Sequence, residues 1–154
     1  MFKIKRLAPV EGLAEMMAEV HQDGFSHPWD ASSIRGLLSQ PGVRVWGAVR
    51  AEQPELIGFA MVRAAAVELE VLTIAVRSAE RRQGVAETLL SAVFADSAST
   101  LETVFLEVDS QNTAARNLYV KLGFETIGER PKYYKYADGA VGDAIVMSRE
   151  LASP

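Results

Sequence analysis

Leu106-Glu107-Val108-Asp109-Ser110-Gln111-Asn112-Thr113-Ala114-Ala115-Arg116-Asn117-Leu118-Tyr119-Val120-Lys121-Leu122-Gly123-Phe124 is the stretch that decides how this chain folds. It begins in a nearly all-apolar strand, Val104 to Val108, which predicts a central position covered on both faces. Asn112 then opens a helix to Leu122, with Leu118 and Leu122 on its core stripe, and Gly123 supplies the left-handed stop. A carboxylate, Glu107, therefore stands at a strand end. Tyr119 follows Asn112 by seven positions and shares its helical face.

Upstream, Glu68 to Val76 is a β-branched strand followed by the arginine-rich connection Arg77 to Gly84 and an apolar helix, Val85 to Ala95. Arg81-Arg82-Gln83-Gly84-Val85-Ala86 thus lies between a strand and a helix. A glycine there lets a ligand approach the backbone, the helix start offers unpaired N–H groups, and arginines fork onto phosphates. A diphosphate is the natural guest. One glycine and no P-loop lysine separate the turn from Walker A and dinucleotide loops.

Further out, Phe2 to Leu7 alternates as a short strand and Val10 to Val20 carries helical spacing. Asp23 to Pro28 is a loop, and Asp30 caps a helix to Leu38. Val43 to Val49 and Leu56 to Ala66 form a hairpin. Phe124 to Gly128 and Ala144 to Met147 close the fold, joined by a tyrosine-rich loop, Lys132 to Gly142. The order β-α-α-β-β-β-α-β-α-β-β is an α/β domain with a mixed sheet, spanning residues 1–154 as one unit.

Length and composition agree: 154 residues, 49% hydrophobic and 23% charged, suit one globular domain and exclude disorder. No cysteine is present, so disulfides, thiolate zinc sites and a cysteine nucleophile are excluded. The net charge of −4 disfavours a nucleic-acid partner, while Arg77, Arg81 and Arg82 form a local basic cluster suited to an anion. No apolar run is long enough to span a bilayer, and Met1 to Arg6 is not followed by a signal-peptide core, so a cytoplasmic protein is expected. His21 and His27 lack partners at ligand spacing, so no metal is expected.

Together, Ile74-Ala75-Val76, Arg82 to Glu87, and the Asn112 to Phe124 stretch resemble the GNAT acetyltransferase superfamily. The likeness runs through Pro28-Trp29, Lys132-Tyr133-Tyr134 and Asp143 to Met147, and is strongest to the ribosomal-protein-alanine N-acetyltransferase branch. It implies a mostly antiparallel sheet split between two central strands and flanked by about four helices, with acetyl-CoA as co-substrate. By that resemblance Ile74, Ala75 and Val76 bind the pantetheine arm. Arg81, Arg82, Gln83, Gly84, Val85, Ala86 and Glu87 bind the pyrophosphate, and Asn112 holds the cofactor from across the split. Glu107 is the implied base, with Glu70 as alternative, and Tyr119 the implied acid. Trp29, Tyr133 and Tyr134 belong to the acceptor side, Trp29 as anchor or pocket wall, the tyrosines as one buried and one lining the groove.

The implied reaction is direct acetyl transfer to a protein N-terminal amine with a small first residue such as Ala, on a ribosomal protein. A polyamine, aminoglycoside or amino acid is the alternative acceptor, and a non-catalytic acyl-CoA-binding module the third reading. The acid–base pair argues against the last. Two positions depart from the pattern: Ala86 replaces a second glycine, and Asp109 stands where the branch often carries a basic residue.

Overall fold

The computed structural model describes residues 1–25, 28–136 and 138–151. Ser26 and His27 of the expected loop lie outside them. The elements are β1 (Phe2–Leu7), α1 (Leu13–Gln22), α2 (Ala31–Leu38), β2 (Val43–Arg50), β3 (Leu56–Ala65), β4 (Glu68–Val76), a 3₁₀ turn (Ser78–Glu80), α3 (Val85–Ser97), β5 (Thr103–Asp109), α4 (Thr113–Lys121), β6 (Glu125–Lys135) and β7 (Val141–Glu150). They build a seven-stranded sheet in the order β1-β2-β3-β4-β5-β7-β6, antiparallel except for β4 beside β5. The expected element order and mixed, mostly antiparallel sheet hold.

Each helix is placed by its apolar stripe. Leu13, Met17 and Val20 of α1, with Ile34 of α2, pack on Val45, Phe59, Met61 and Ala75 of one sheet face. Val85, Leu89, Val93 and Phe94 of α3, with Tyr119 of α4, pack on Ala60, Val71, Leu106 and Met147 of the other. Burying each Val, Leu, Ile, Phe or Met among them contributes about 1.5–3 kcal/mol. Helix α2 starts as expected, its Asp30 carboxylate accepting a hydrogen bond from the Ser33 amide at 2.8 Å. Helix α1 starts at Leu13 rather than Val10, because Gly12 takes a left-handed conformation (φ 89°) immediately before it.

The sheet is split where the expectation put it, and the cause is local. Strands β4 and β5 pair only from Glu68–Thr103 to Val71–Leu106. At that point the register of β3 on β4 jumps from Val62–Val71 to Met61–Thr73, leaving Leu72 as the extra residue of a bulge. A bulge bends its strand and adds twist, so β4 veers from β5 and the strand ends 72–76 and 107–109 face each other across a gap.

Two expectations need correction. Strand β5 is not covered on both faces: Val104, Leu106 and Val108 are buried, while Thr103, Phe105 and Glu107 are half-buried. No β5 residue belongs to the cluster under α1 and α2, so those helices leave this face open. Lys132 to Lys135 is also not loop but part of β6, which runs on from Glu125. Irregularities between Thr126 and Gly128 and between Arg130 and Tyr134 absorb Gly128, Pro131 and the left-handed Lys132 (φ 57°), which otherwise read as breakers.

Candidate active site

One part of the site is the turn before α3. Arg82 (φ 65°) and Gly84 (φ 77°) are both left-handed, with an ordinary residue between them. Such alternation curls backbone N–H groups into a concavity that suits anions. No side chain caps α3, so its first amides and the positive end of its dipole stay available. A Cβ built on Gly84 would meet no atom within 4 Å. The glycine therefore serves the positive φ and leaves open room, forming one wall of a cleft of about 150 Å³ lined by Val76, Arg81, Arg82, Val85, Ala86 and Leu118. These features fit a diphosphate.

The three clustered arginines do different work. Arg77 donates to the Leu56 carbonyl at 2.8 Å and lies 3.7 Å from Glu19 and from Glu55. Arg81 reaches the Asp23 carbonyl at 3.4 Å. The Asp23 carboxylate accepts from the Ser78 amide, and that bond, aided by Arg81 and Arg77, holds its pKa low. Arg82, exposed at the cleft, makes no ion pair among the described residues. Gln83 is exposed, and Glu87 bonds Lys121 of α4 at 3.0 Å, tying the helices together beside the cleft. Asn112 caps α4, accepting from the Ala115 amide at 3.2 Å, which leaves its side-chain NH₂ to donate elsewhere. Ile74, Ala75 and Val76 end β4 beyond its last pair with β5, at the edge of the split.

The second part joins both sheet faces. Glu107 follows the last residue of β5 that pairs with β4 and projects to the open face, where Arg130 of β6 grips it at 2.9 Å. Tyr119 comes from the other side, its ring buried against Phe124 at 5.7 Å between centroids. Burial, then the nearby Tyr134 phenol, pushes its hydroxyl up to about 12. Tyr134 is likewise raised to about 12 by burial, then by Tyr133, Asp109 and Glu107. Tyr134 is thus among the groups that raise Tyr119, and Glu107 among those that raise Tyr134.

Glu70 sits differently. It is opposite Phe105, inside the paired part of the sheet, and is bound by Arg63 at 2.7 Å. A strand rises about 3.3 Å per residue, so Glu70 lies two residues, roughly 7 Å, short of the opening that Glu107 lines.

The third part flanks the open face. Tyr134 is half-buried and meets Tyr133 edge-on at 5.1 Å, whereas Tyr133 is exposed beneath the Arg130 guanidinium, 5.1 Å from its ring centre. Trp29 stacks on His21 at 5.0 Å and packs on the core, so the anchor role is the one its contacts describe. His21 is the hub. Its Nδ1 accepts from the Trp29 amide at 3.1 Å, so Nε2 carries the proton and donates to Thr73 at 3.2 Å. Burial holds its pKa down at about 4.

His21, Thr73 and Arg130 escape sequence reasoning as site residues. In the sequence His21 has no partner that marks it, because Trp29 lies eight residues away and Thr73 fifty-two. Arg130 reaches Glu107 diagonally across β7, since Arg130 pairs with Ala144 and Glu107 with Val146. Only the strand order β5-β7-β6 brings them together. The small residues of β7 were the available signal.

The family model of the Acetyltransferase (GNAT) family matches residues 10–124. A [ribosomal protein bS18]-alanine N-acetyltransferase of Haemophilus ducreyi is 32% identical over 134 residues, 86% of this chain and 90% of that protein. The N-alpha-acetyltransferase RimI of Mycobacterium tuberculosis is 31% identical over 147 residues, 92% of this chain and 89% of that one. In three dimensions the ribosomal-protein-S18-alanine N-acetyltransferase from Escherichia coli superposes with a TM-score of 0.90, at 24% identity, over 100% of this chain and 96% of that chain.

Proposed function

Because the chain belongs to the GNAT acetyltransferase family, we propose that it acetylates the α-amine of a protein N-terminus, using acetyl-CoA. The preferred first residue is small, such as Ala, and the acceptor is of the ribosomal-protein type. The relatives' names support this acceptor class. The split itself carries the catalytic reading: β4 and β5 part after Val71–Leu106, Glu107 is the first β5 residue beyond that point, and α3 begins uncapped after β4. Residues 1–154 act as one domain, working in the cytoplasm without nucleic acid, membrane or metal. Among the described residues no helix is long and apolar enough to cross a membrane.

Acetyl-CoA supplies an acyl carbon activated by a thiol leaving group. Arg82 and the first amides of α3 hold its diphosphate, the edge of β4 at 74–76 aligns its pantetheine amides, and the Asn112 side chain donates from α4. The Val76 amide polarises the carbonyl oxygen. Glu107 takes a proton from the acceptor ammonium, directly or through one water. An α-amine has a pKa of about 7.7–8.0, so deprotonation at pH 7 costs only about 1 kcal/mol, against about 4.6 kcal/mol for a lysine amine. One carboxylate is enough for the α-amine. In the free protein Arg130 presents its guanidinium to Glu107, and the acceptor ammonium takes over that contact. Tyr119 donates to the departing sulfur as the new C–N bond forms and the C–S bond breaks. The chain has no cysteine for a covalent acetyl-enzyme, and direct attack in a ternary complex is the simpler mechanism.

The test is acetyl-CoA turnover against short peptides differing in their first residue, beside N-blocked lysine peptides and free polyamines. Fastest turnover on free small N-termini is expected. Polyamines or internal lysines outrunning every free N-terminus would replace this reading with the small-amine one.

A further inference from the structure

We infer that Asp109 and Tyr136 form a latch that positions the β6–β7 hairpin over the acceptor groove, so that the latch sets affinity for the acceptor. The inference rests on the reading above that the open face of β5 receives the acceptor. Asp109 ends β5, two residues beyond Glu107 and therefore on the same face. The Tyr136 hydroxyl donates to its Oδ1 at 2.7 Å, and the Gln111 amide donates to the same oxygen at 2.9 Å. The carboxylate is thus fixed to its own backbone before it holds the tyrosine. Hydrogen bonds to an ionised acceptor are the strong ones.

To arrive there, the Tyr136 ring must pass over β7, and the sequence makes room for it. A Cβ built on Gly142 would fall inside the hydroxyl and ring of Tyr136. Gly142 has no positive φ, so the ring's space is what requires glycine there. Gly142 is also the ladder partner of Tyr134, the phenol that Glu107 helps to raise and that helps to raise Tyr119. Between Arg130 and Tyr134 the β6–β7 ladder is interrupted. Over that gap the hairpin is held instead by the Lys132 amide on Asp143 at 2.9 Å and by the Asp143 carbonyl accepting from Ser110 at 2.9 Å. The latch closes the far end. Its hydrogen bond, foremost among the causes, raises the Tyr136 hydroxyl to about 12, so it stays a donor across the physiological range.

Tyr136→Phe removes only the hydroxyl, Gly142→Ala evicts the ring from the other side, and Asp109→Asn retains an acceptor oxygen. We expect the first two each to raise the acceptor KM about tenfold, the scale of one hydrogen bond to a charged group. The kcat should stay within about twofold and acetyl-CoA affinity by calorimetry unchanged, with Asp109→Asn, which keeps an acceptor oxygen but not its charge, raising the acceptor KM by less than the other two. The double variant should be no worse than Gly142→Ala alone, because both break one contact. An unchanged acceptor KM, additive losses, or KM, kcat and acetyl-CoA affinity worsening together would overturn the latch. A second readout needs no acceptor: ultraviolet titration of Asp109→Ala should bring a tyrosine back from about 12 toward 10, and the same change in a Tyr136→Phe background, where Asp109 acts only on Tyr134, should be smaller; equal shifts in the two backgrounds, or none, overturn the latch. If the titration moves but no free N-terminus is a substrate in the peptide panel, it is the proposed acceptor that fails.

Discussion

Acid should loosen this protein through one side chain, His21. In the fold it is 1% exposed, which disfavours a charged ring, and it accepts a hydrogen bond from the Trp29 amide at Nδ1, which requires that nitrogen unprotonated. Its pKa falls from 6.5 to about 4. The unfolded chain therefore binds the proton first as pH drops. Stability is complete above about pH 6.5 and declines until pH reaches about 4. The loss is about 1.36 kcal/mol per pH unit, so roughly 2 kcal/mol by pH 5 and about 3 kcal/mol below pH 4. For a domain of this size 2 kcal/mol lowers Tm by about 4–8 °C. Asp23 and Asp30 also have lowered values, but a depressed carboxylate loses its contribution only as pH falls below about 4, outside this window. Urea unfolding at pH 7.5, 6 and 5 should be compared between wild type and His21→Gln. The variant should start less stable, having lost the stacking, yet vary about 2 kcal/mol less between pH 7.5 and 5. Parallel pH profiles for the two proteins would refute the argument.

Gly84→Val should weaken acetyl-CoA binding at least tenfold by calorimetry, because a branched side chain fills the approach to α3; at φ 77° it also costs roughly 1–2 kcal/mol of stability. Unchanged affinity in a folded variant would remove the turn from the cofactor site. Glu107→Gln should cut turnover most at pH 7 and regain part of it above pH 8, where the acceptor amine is already neutral. A larger loss in Glu70→Gln would move the base to β4. Tyr119→Phe should lower kcat about 10²–10⁴-fold with no rescue by alkali. Since its hydroxyl stands near 12, full transfer to a thiolate of pKa about 8.5 would be uphill by about 5 kcal/mol; donation without complete transfer predicts a defect constant from pH 7 to 10.

Much of this was legible because local chemistry and tertiary demand agree. The bounds of β4 follow from its own apolar alternation, and Asp30 announces its helix because a cap is a contact three residues long. The turn before α3 was readable for the same reason: glycine and helix start are neighbours in sequence. What was not readable depends on where distant strands land. Arg77, Arg81 and Arg82 are close in sequence yet diverge in space, since Arg77 turns to Leu56 and two glutamates. Glu80 is buried at 6% exposure because Arg50 pairs with it, a contact thirty residues apart. Strand β6 reads as broken because it is an edge: with a partner on one side only, bulges tolerate proline and a left-handed lysine that a central strand would not.

Four residue pairs, from Glu68–Thr103 to Val71–Leu106, form the seam between the β1–β4 half of the sheet and the β5–β7–β6 half. Beyond the seam the sheet has two extra edges inside the molecule, at 72–76 and 107–109, each with peptide groups that lack a ladder partner across the gap. Interior edges of this kind open by local fluctuation far more readily than a continuous ladder. Amide exchange should accordingly be fast along both edges in the free protein. A ligand carrying its own amides, laid between them, would lend each edge a surrogate neighbour, and protection should rise on the two strands together. The empty protein would then exchange as two leaves hinged on a short spine, and the filled one as a single cooperative block.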